Sequence, residues 1–129
     1  MSELVAAMPF AERLGLRIES ATKDQVRGEL DWAAELCTAG GVLHGGALMA
    51  AADSIGALCA FLNLPDGTTT ATIESKTNFF RAVSGGTVSL TAAPLHVGRT
   101  SIVVQTDLRD GDGKRVALVI QTQAVQSSG

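Results

Sequence analysis

Tyrosine is absent from the sequence, tryptophan occurs once and phenylalanine four times in 129 residues. Aromatic side chains this sparse offer no stacking platform for nucleic-acid bases. Basic residues are also in the minority, ten Lys and Arg against thirteen Asp and Glu, a formal net charge of −3. A general nucleic-acid binder needs a basic face, so that class is excluded; a local basic patch for a small anionic ligand is not. Only two cysteines occur, Cys37 and Cys59, in apolar or small-residue surroundings and at no metal-binding spacing. Two are too few for a disulfide scaffold of this length, and they read as buried, reduced thiols. The stretch MSELVAAMPFAERLG has early acids and no basic region ahead of an apolar core. No signal peptide is therefore expected, and the expected location is cytoplasmic. Linkers, repeats and low-complexity segments are lacking too; residues 1–129 read as one domain, with only the terminal QSSG frayed.

What is present is a hydrophobic content of 46%, enough to fill a core. Its longest run, GGVLHGGALMAAADSIGALCAFL, spans Gly40 to Leu62 and carries a single acid, Asp53, near its middle. The run matches the ~20 residues of a membrane span, but a central acid costs roughly 2.5–3.5 kcal/mol on insertion and the flanks lack basic and aromatic anchors. A membrane span is excluded. The run is too long for a strand and rich in Ala, Leu and Met, so it reads as a helix from after His44 to NLPDG, where Pro65 and Gly67 break it.

Around this helix the period is two. Leu14, Leu16 and Ile18 alternate with polar positions in LGLRIES, as do Val26, Gly28, Leu30 and Trp32 in QVRGELDW, with ATKD as the hairpin loop. Four further strands are expected: Thr70 to Phe80, TVSLTAAPLHV, TSIVVQTDLRD and KRVALVIQTQAV, the last two joined by the turn GDG. A short helix, Phe10 to Leu14, has Pro9 near its start and Gly15 at its end. The order predicts an α+β domain: a six-stranded antiparallel sheet wrapped around one long central helix, with a short N-terminal helix. Met49 and Phe61 read as core, and His96 as a structural residue at a strand end. Such a sheet leaves edges and one helix side open, which predicts a homo-oligomer, a dimer or larger.

The helix also carries the chemistry. Gly45 and Gly46 fall at its N-terminus, where backbone N–H groups lack partners and the dipole is positive, so the Gly45 N–H suits an oxyanion. His44, just before, is placed to orient the carbonyl. Asp53 lies eight residues further on, about 12 Å along the axis. One carbonyl cannot reach both in the same chain, so a joint site requires Asp53 from one subunit and Gly45 from the other, two antiparallel helices across a two-fold axis. An isolated buried acid is costly; one facing a shared cleft is not. There Asp53 acts as general base on water or as nucleophile on an acyl carbon, and the residues leave both open.

His44-Gly45-Gly46, with an acid nine residues after the histidine, in a small-residue helix and this strand order, resembles the signature of hotdog-fold acyl-CoA thioesterases. The similarity covers nearly the whole chain, and the nearest type is that of phenylacetic-acid-degradation and 4-hydroxybenzoyl-CoA thioesterases. The resemblance implies hydrolysis of an aromatic or short-to-medium-chain acyl-CoA to acid and free thiol, with no metal or redox cofactor and coenzyme A present only as part of the substrate. It implies a dimer with shared sites, assembled further to a tetramer, with neither nucleic acid nor membrane as partner. By position, His44 and Gly45 match the carbonyl-binding pair, Asp53 the catalytic carboxylate, and Thr72 a Ser/Thr position that helps hold the water. Thr38 stands where the pattern has Asn or Gln, a hydroxyl shorter than the usual amide. Gly46 and Ser54 are the substrate-binding candidates on the helix. Arg81, and Arg99 with Thr100, are the candidates for the phosphate-rich tail, with Lys76 weaker, since Arg offers a planar fork of donors. A non-catalytic acyl-CoA sensor on the same fold is the alternative, though a pure binder has no need of Asp53. A hydratase ranks lower, since its His and acid patterns differ.

Overall fold

A computed structural model describes residues 1–127. Two short helices, α1 (Ser2–Ala6) and α2 (Pro9–Leu14), precede strands β1 (Arg17–Ala21) and β2 (Val26–Asp31). After a single 3-10 turn at Ala34–Leu36 comes the long helix α3 (Gly45–Phe61), then β3 (Thr68–Phe79), β4 (Thr87–Val97), β5 (Ser101–Arg109) and β6 (Arg115–Ser127). The six strands form one antiparallel sheet in the order β1-β2-β4-β5-β6-β3. The expected α+β architecture, one sheet and one long helix, is the observed one.

Local chemistry sets the boundaries. Pro9 opens α2 and Gly15 closes it at φ +81°, donating its N–H to the carbonyls of Ala11 and Glu12. Leu14 therefore belongs to α2 and not, as its alternation with Leu16 suggests, to the first strand. Likewise β2 stops at Asp31, and Trp32 turns aside to donate its indole N–H to the Gly41 carbonyl at 3.1 Å. Between β5 and β6 the Asp110 carboxylate accepts from the backbone of Asp112 and Lys114, and Gly113 takes φ +80°. α1 has no counterpart in the sequence reading: at five residues it buries only Val5. Of the terminal QSSG, Gln126 and Ser127 pair in β6 with Thr69 and Thr68, so they are not frayed; residues 128–129 lie outside the described residues.

The core lies between the sheet and α3. Val26, Leu30, Val88, Leu90, Ile102, Val104, Leu108 and Val119 are fully buried on the sheet's inner face, against Ala51, Ala52, Ile55 and Cys59 of the helix. Two glycines permit the close approach. A Cβ at Gly28 would stand 2.7 Å from the Ile55 Cδ1, and one at Gly56 would overlap the Gln121 side chain. One stripe of α3 remains uncovered: Gly46, Met49, Asp53, Ala57 and Phe61 recur at helical spacing and none is buried. Met49, at 37% exposure, and Phe61, at 59%, are thus not the core residues their helical spacing suggested, because this single chain covers only the opposite faces. Beside the stripe runs β3, a 12-residue edge strand that among the described residues pairs only with β6, with Ile73 66% and Phe79 48% exposed. Among the described residues no helix is long and apolar enough to cross a membrane.

Candidate active site

Two clusters form along α3, one at its N-terminus and one at its middle. His44 caps the helix: its Nδ1 accepts the Gly46 N–H at 2.7 Å. In the neutral ring that bond fixes the proton on Nε2, which becomes a donor. It also corrects the expectation for Gly46, whose N–H serves His44 and is not available to a substrate; a Cβ there would stand 2.8 Å from the same nitrogen. Gly45 keeps an N–H without a partner among the described residues, at the positive end of a 17-residue helix. The Phe79 ring packs over its α-carbon, where a Cβ would come within 2.9 Å. A cavity of about 400 Å³ adjoins this end, lined by Leu43, Gly45, Leu48, Phe79, Phe80 and Arg81.

Asp53 occupies the second cluster. Its Oδ1 accepts the Thr72 hydroxyl at 2.7 Å and the Gln121 amide at 2.9 Å, while no hydrogen bond reaches Oδ2 among the described residues. Behind these lies Gln123, whose Oε1 accepts from Gln121 at 2.8 Å and lies 2.6 Å from the Thr72 hydroxyl, and whose amide donates to Thr70 at 3.1 Å. Gln121 and Gln123 are completely buried, and the Gln121 Oε1, pressed toward Gly56, has no hydrogen-bond partner among the described residues. Leaving such a carbonyl unpaired costs about 1–3 kcal/mol, a cost an aliphatic residue would avoid. Neither glutamine was anticipated from sequence. The signal was there: Val119, Gln121 and Gln123 alternate on one face of β6, so the strand's inward side turns polar just where it passes Asp53.

The remaining candidates are scattered. The Ser54 hydroxyl donates to the Ala50 carbonyl at 2.9 Å, a bond internal to the helix. Thr38 sits exposed in the loop before His44, its hydroxyl accepting the Gly40 N–H at 3.3 Å, and no bond links it to Asp53. Arg81 lies at the Gly45 end. Arg99 and Thr100 lie at the opposite end of the sheet: the Thr100 carbonyl accepts from Val125, which pairs with Thr70, whereas Phe79 pairs with Ala117. Nine residues of strand, roughly 30 Å, separate those rows, so one chain does not bring Arg81 and Arg99 to the same ligand. Lys76 is exposed on the edge strand and His96 at the end of β4. Cys59 is buried, and burial pushes its thiol up to about 11; Cys37 is half-buried and donates to the Ala33 carbonyl. A second cavity, about 350 Å³ and almost wholly apolar, lies under the N-terminal helices, lined by Leu4, Ala7, Met8, Ala57, Phe61 and Thr70. Ala57 and Phe61 follow Asp53 by one and two turns on the same helix face.

A six-stranded antiparallel sheet folded over one long helix, with a carboxylate in mid-helix and a free amide at its start, defines a hotdog protein. The chain belongs to the thioesterase superfamily, whose family model matches residues 40–117. It is 37% identical over 75 residues, 58% of this chain and 55% of the other, to the proofreading thioesterase EntH of Cronobacter sakazakii. The solved structure of a thioesterase from Haemophilus influenzae superposes with a TM-score of 0.90 at 28% identity, covering 98% of this chain and 87% of that one. A conserved protein of Pseudomonas aeruginosa superposes with a TM-score of 0.84 at 37% identity, covering 90% of this chain and 92% of its own.

Proposed function

We propose that the protein is an acyl-CoA thioesterase of the phenylacetic-acid-degradation and 4-hydroxybenzoyl-CoA type, working in the cytoplasm as a dimer whose sites are shared between subunits. One observation carries the reading: Asp53 is held through Oδ1 with Oδ2 bare, on a helix stripe otherwise made of small and apolar residues. The apolar cavity beyond Asp53 suits the acyl group, and its size fits a single ring or a medium chain. The thioester carbonyl then meets the Gly45 N–H and His44 Nε2–H of the other subunit. The thiol-bearing arm runs along the cavity toward Arg81, whose guanidinium suits a phosphate. The exposed β3 edge and the uncovered helix stripe are the surfaces a second copy would cover. Two such dimers pairing would give a tetramer.

In the reaction, water loses a proton to Asp53 Oδ2 as its oxygen bonds the acyl carbon, and the oxyanion rests on Gly45. The C–S bond then breaks, and the proton passes from Asp53 to the departing sulfur. Two donors fixed on Oδ1 hold the carboxyl plane still, which favours proton transfer at Oδ2 over its displacement onto carbon. The test is thiol release from a panel of aromatic and aliphatic acyl-CoAs, read with a chromogenic disulfide. Wild type should turn over a subset, and Asp53→Asn should keep its fold and binding while losing on the order of 10²-fold or more in kcat. Undiminished hydrolysis by that variant would remove Asp53 from the mechanism. Tight binding without turnover by wild type would make the protein an acyl-CoA sensor.

A further inference from the structure

The Thr72 hydroxyl has a single hydrogen and two acceptors at hydrogen-bond distance, Asp53 Oδ1 at 2.7 Å and Gln123 Oε1 at 2.6 Å. It can serve only one at a time. A carboxylate accepts a hydrogen bond more strongly than an amide carbonyl does; a protonated carboxyl accepts one less strongly. We propose that Thr72, Gln121 and Gln123 form a relay that follows the charge on Asp53, and that Gln123 is a positioning residue for the reaction. While Asp53 is ionised, the Thr72 hydrogen points to Oδ1. When Asp53 holds the proton taken from water, the same hydrogen swings to Gln123 Oε1, and no heavy atom moves.

The glutamines are oriented for this. Gln121 donates to both Asp53 Oδ1 and Gln123 Oε1. A flipped Gln121 amide would aim its carbonyl at two oxygens, so the flip is disfavoured although the present orientation leaves Oε1 unpaired against Gly56. Gln123 in turn is fixed by donating to Thr70. The second acceptor for Thr72 is therefore preset and fully buried, so the hydroxyl keeps a partner in both charge states of Asp53, while Oδ1 keeps the Gln121 amide throughout.

The relay rests on the thioesterase reading for its purpose but not for its detection. In ¹⁵N spectra, Asp53→Asn, which mimics the neutral acid, should move the Gln123 side-chain amide signals, and in a Thr72→Val background the same change should leave them still. Static signals in the first case overturn the relay, whatever the activity. With benzoyl-CoA or hexanoyl-CoA, whichever wild type hydrolyses faster, Thr72→Val and Gln123→Met should each lower kcat at least tenfold with KM within threefold. Thr72→Ser should recover most of kcat, and the double variant should be no slower than the worse single. Full kcat in folded Gln123→Met would end the claim for Gln123. A wild type that hydrolyses no thioester of the whole panel yet shows the coupled signals would defeat the thioesterase reading and keep the relay.

Discussion

His44 serves the helix before it serves any substrate. Its Nδ1 satisfies an N–H that would otherwise be orphaned, and that same bond decides which ring nitrogen can donate outward. Gly46 is a glycine for this reason, because a methyl group there would push against the ring. Gly46→Ala should therefore lower thermal stability by the loss of a cap, about 1 kcal/mol, and lower turnover through a misoriented Nε2; calorimetry and the thiol assay check the two parts separately. Asp53, His44 and Gly45 were legible in the sequence because an acid and a histidine stand out in an apolar run. The two glutamines were not. In KRVALVIQTQAV both faces of the strand carry aliphatics, Val116, Leu118 and Ile120 on one and Ala117 and Val119 on the other, so alternation alone does not say that Gln121 and Gln123 point inward.

Elements are positioned by contacts that a periodicity cannot register. Gly28 lets Ile55 lie against β2 and leaves the Arg17 carbonyl its room, both at 2.7 Å from a notional Cβ. Gly28→Ala should cost roughly 1–3 kcal/mol by overpacking, read as a fall in the denaturation midpoint with an unchanged slope. In the sequence this residue looked like one more inward position of an alternating strand. Boundaries with strong chemistry, such as Pro9, Gly15 and the GDG turn, were legible to within a residue or two. α1 was missed because five residues are too few to display a helical period. The long helix was read correctly in extent, and the side that one sheet was expected to leave open is the stripe from Gly46 to Phe61 that faces outward in the single chain.

At the scale of the whole molecule, the two halves of the proposed chemistry sit at different levels of α3, Gly45 at its first residue and Asp53 eight residues on. Arg81 and Arg99 are likewise at opposite ends of the sheet, so on the proposed reading a single thioester would take its partners from two chains. An equimolar mixture of inactive Asp53→Ala and inactive Gly45→Val chains should recover about a quarter of wild-type activity, since half the dimers are mixed and each of those has one intact site of two. Light scattering checks that dimers form, and mass spectrometry of differently sized chains checks that they exchange. No recovery from exchanged dimers would locate the reaction within one chain.

Cys59 carries a consequence of a different kind. It is fully buried in the last turn of α3, on the core face, and burial pushes its thiol further above ordinary pH. A thiol reagent meets it only when the helix leaves the sheet. In a Cys37→Ser background the rate at which one sulfur is labelled, followed against reagent concentration, would therefore be a clock for opening of the native core, measured on the protein at rest and without denaturant.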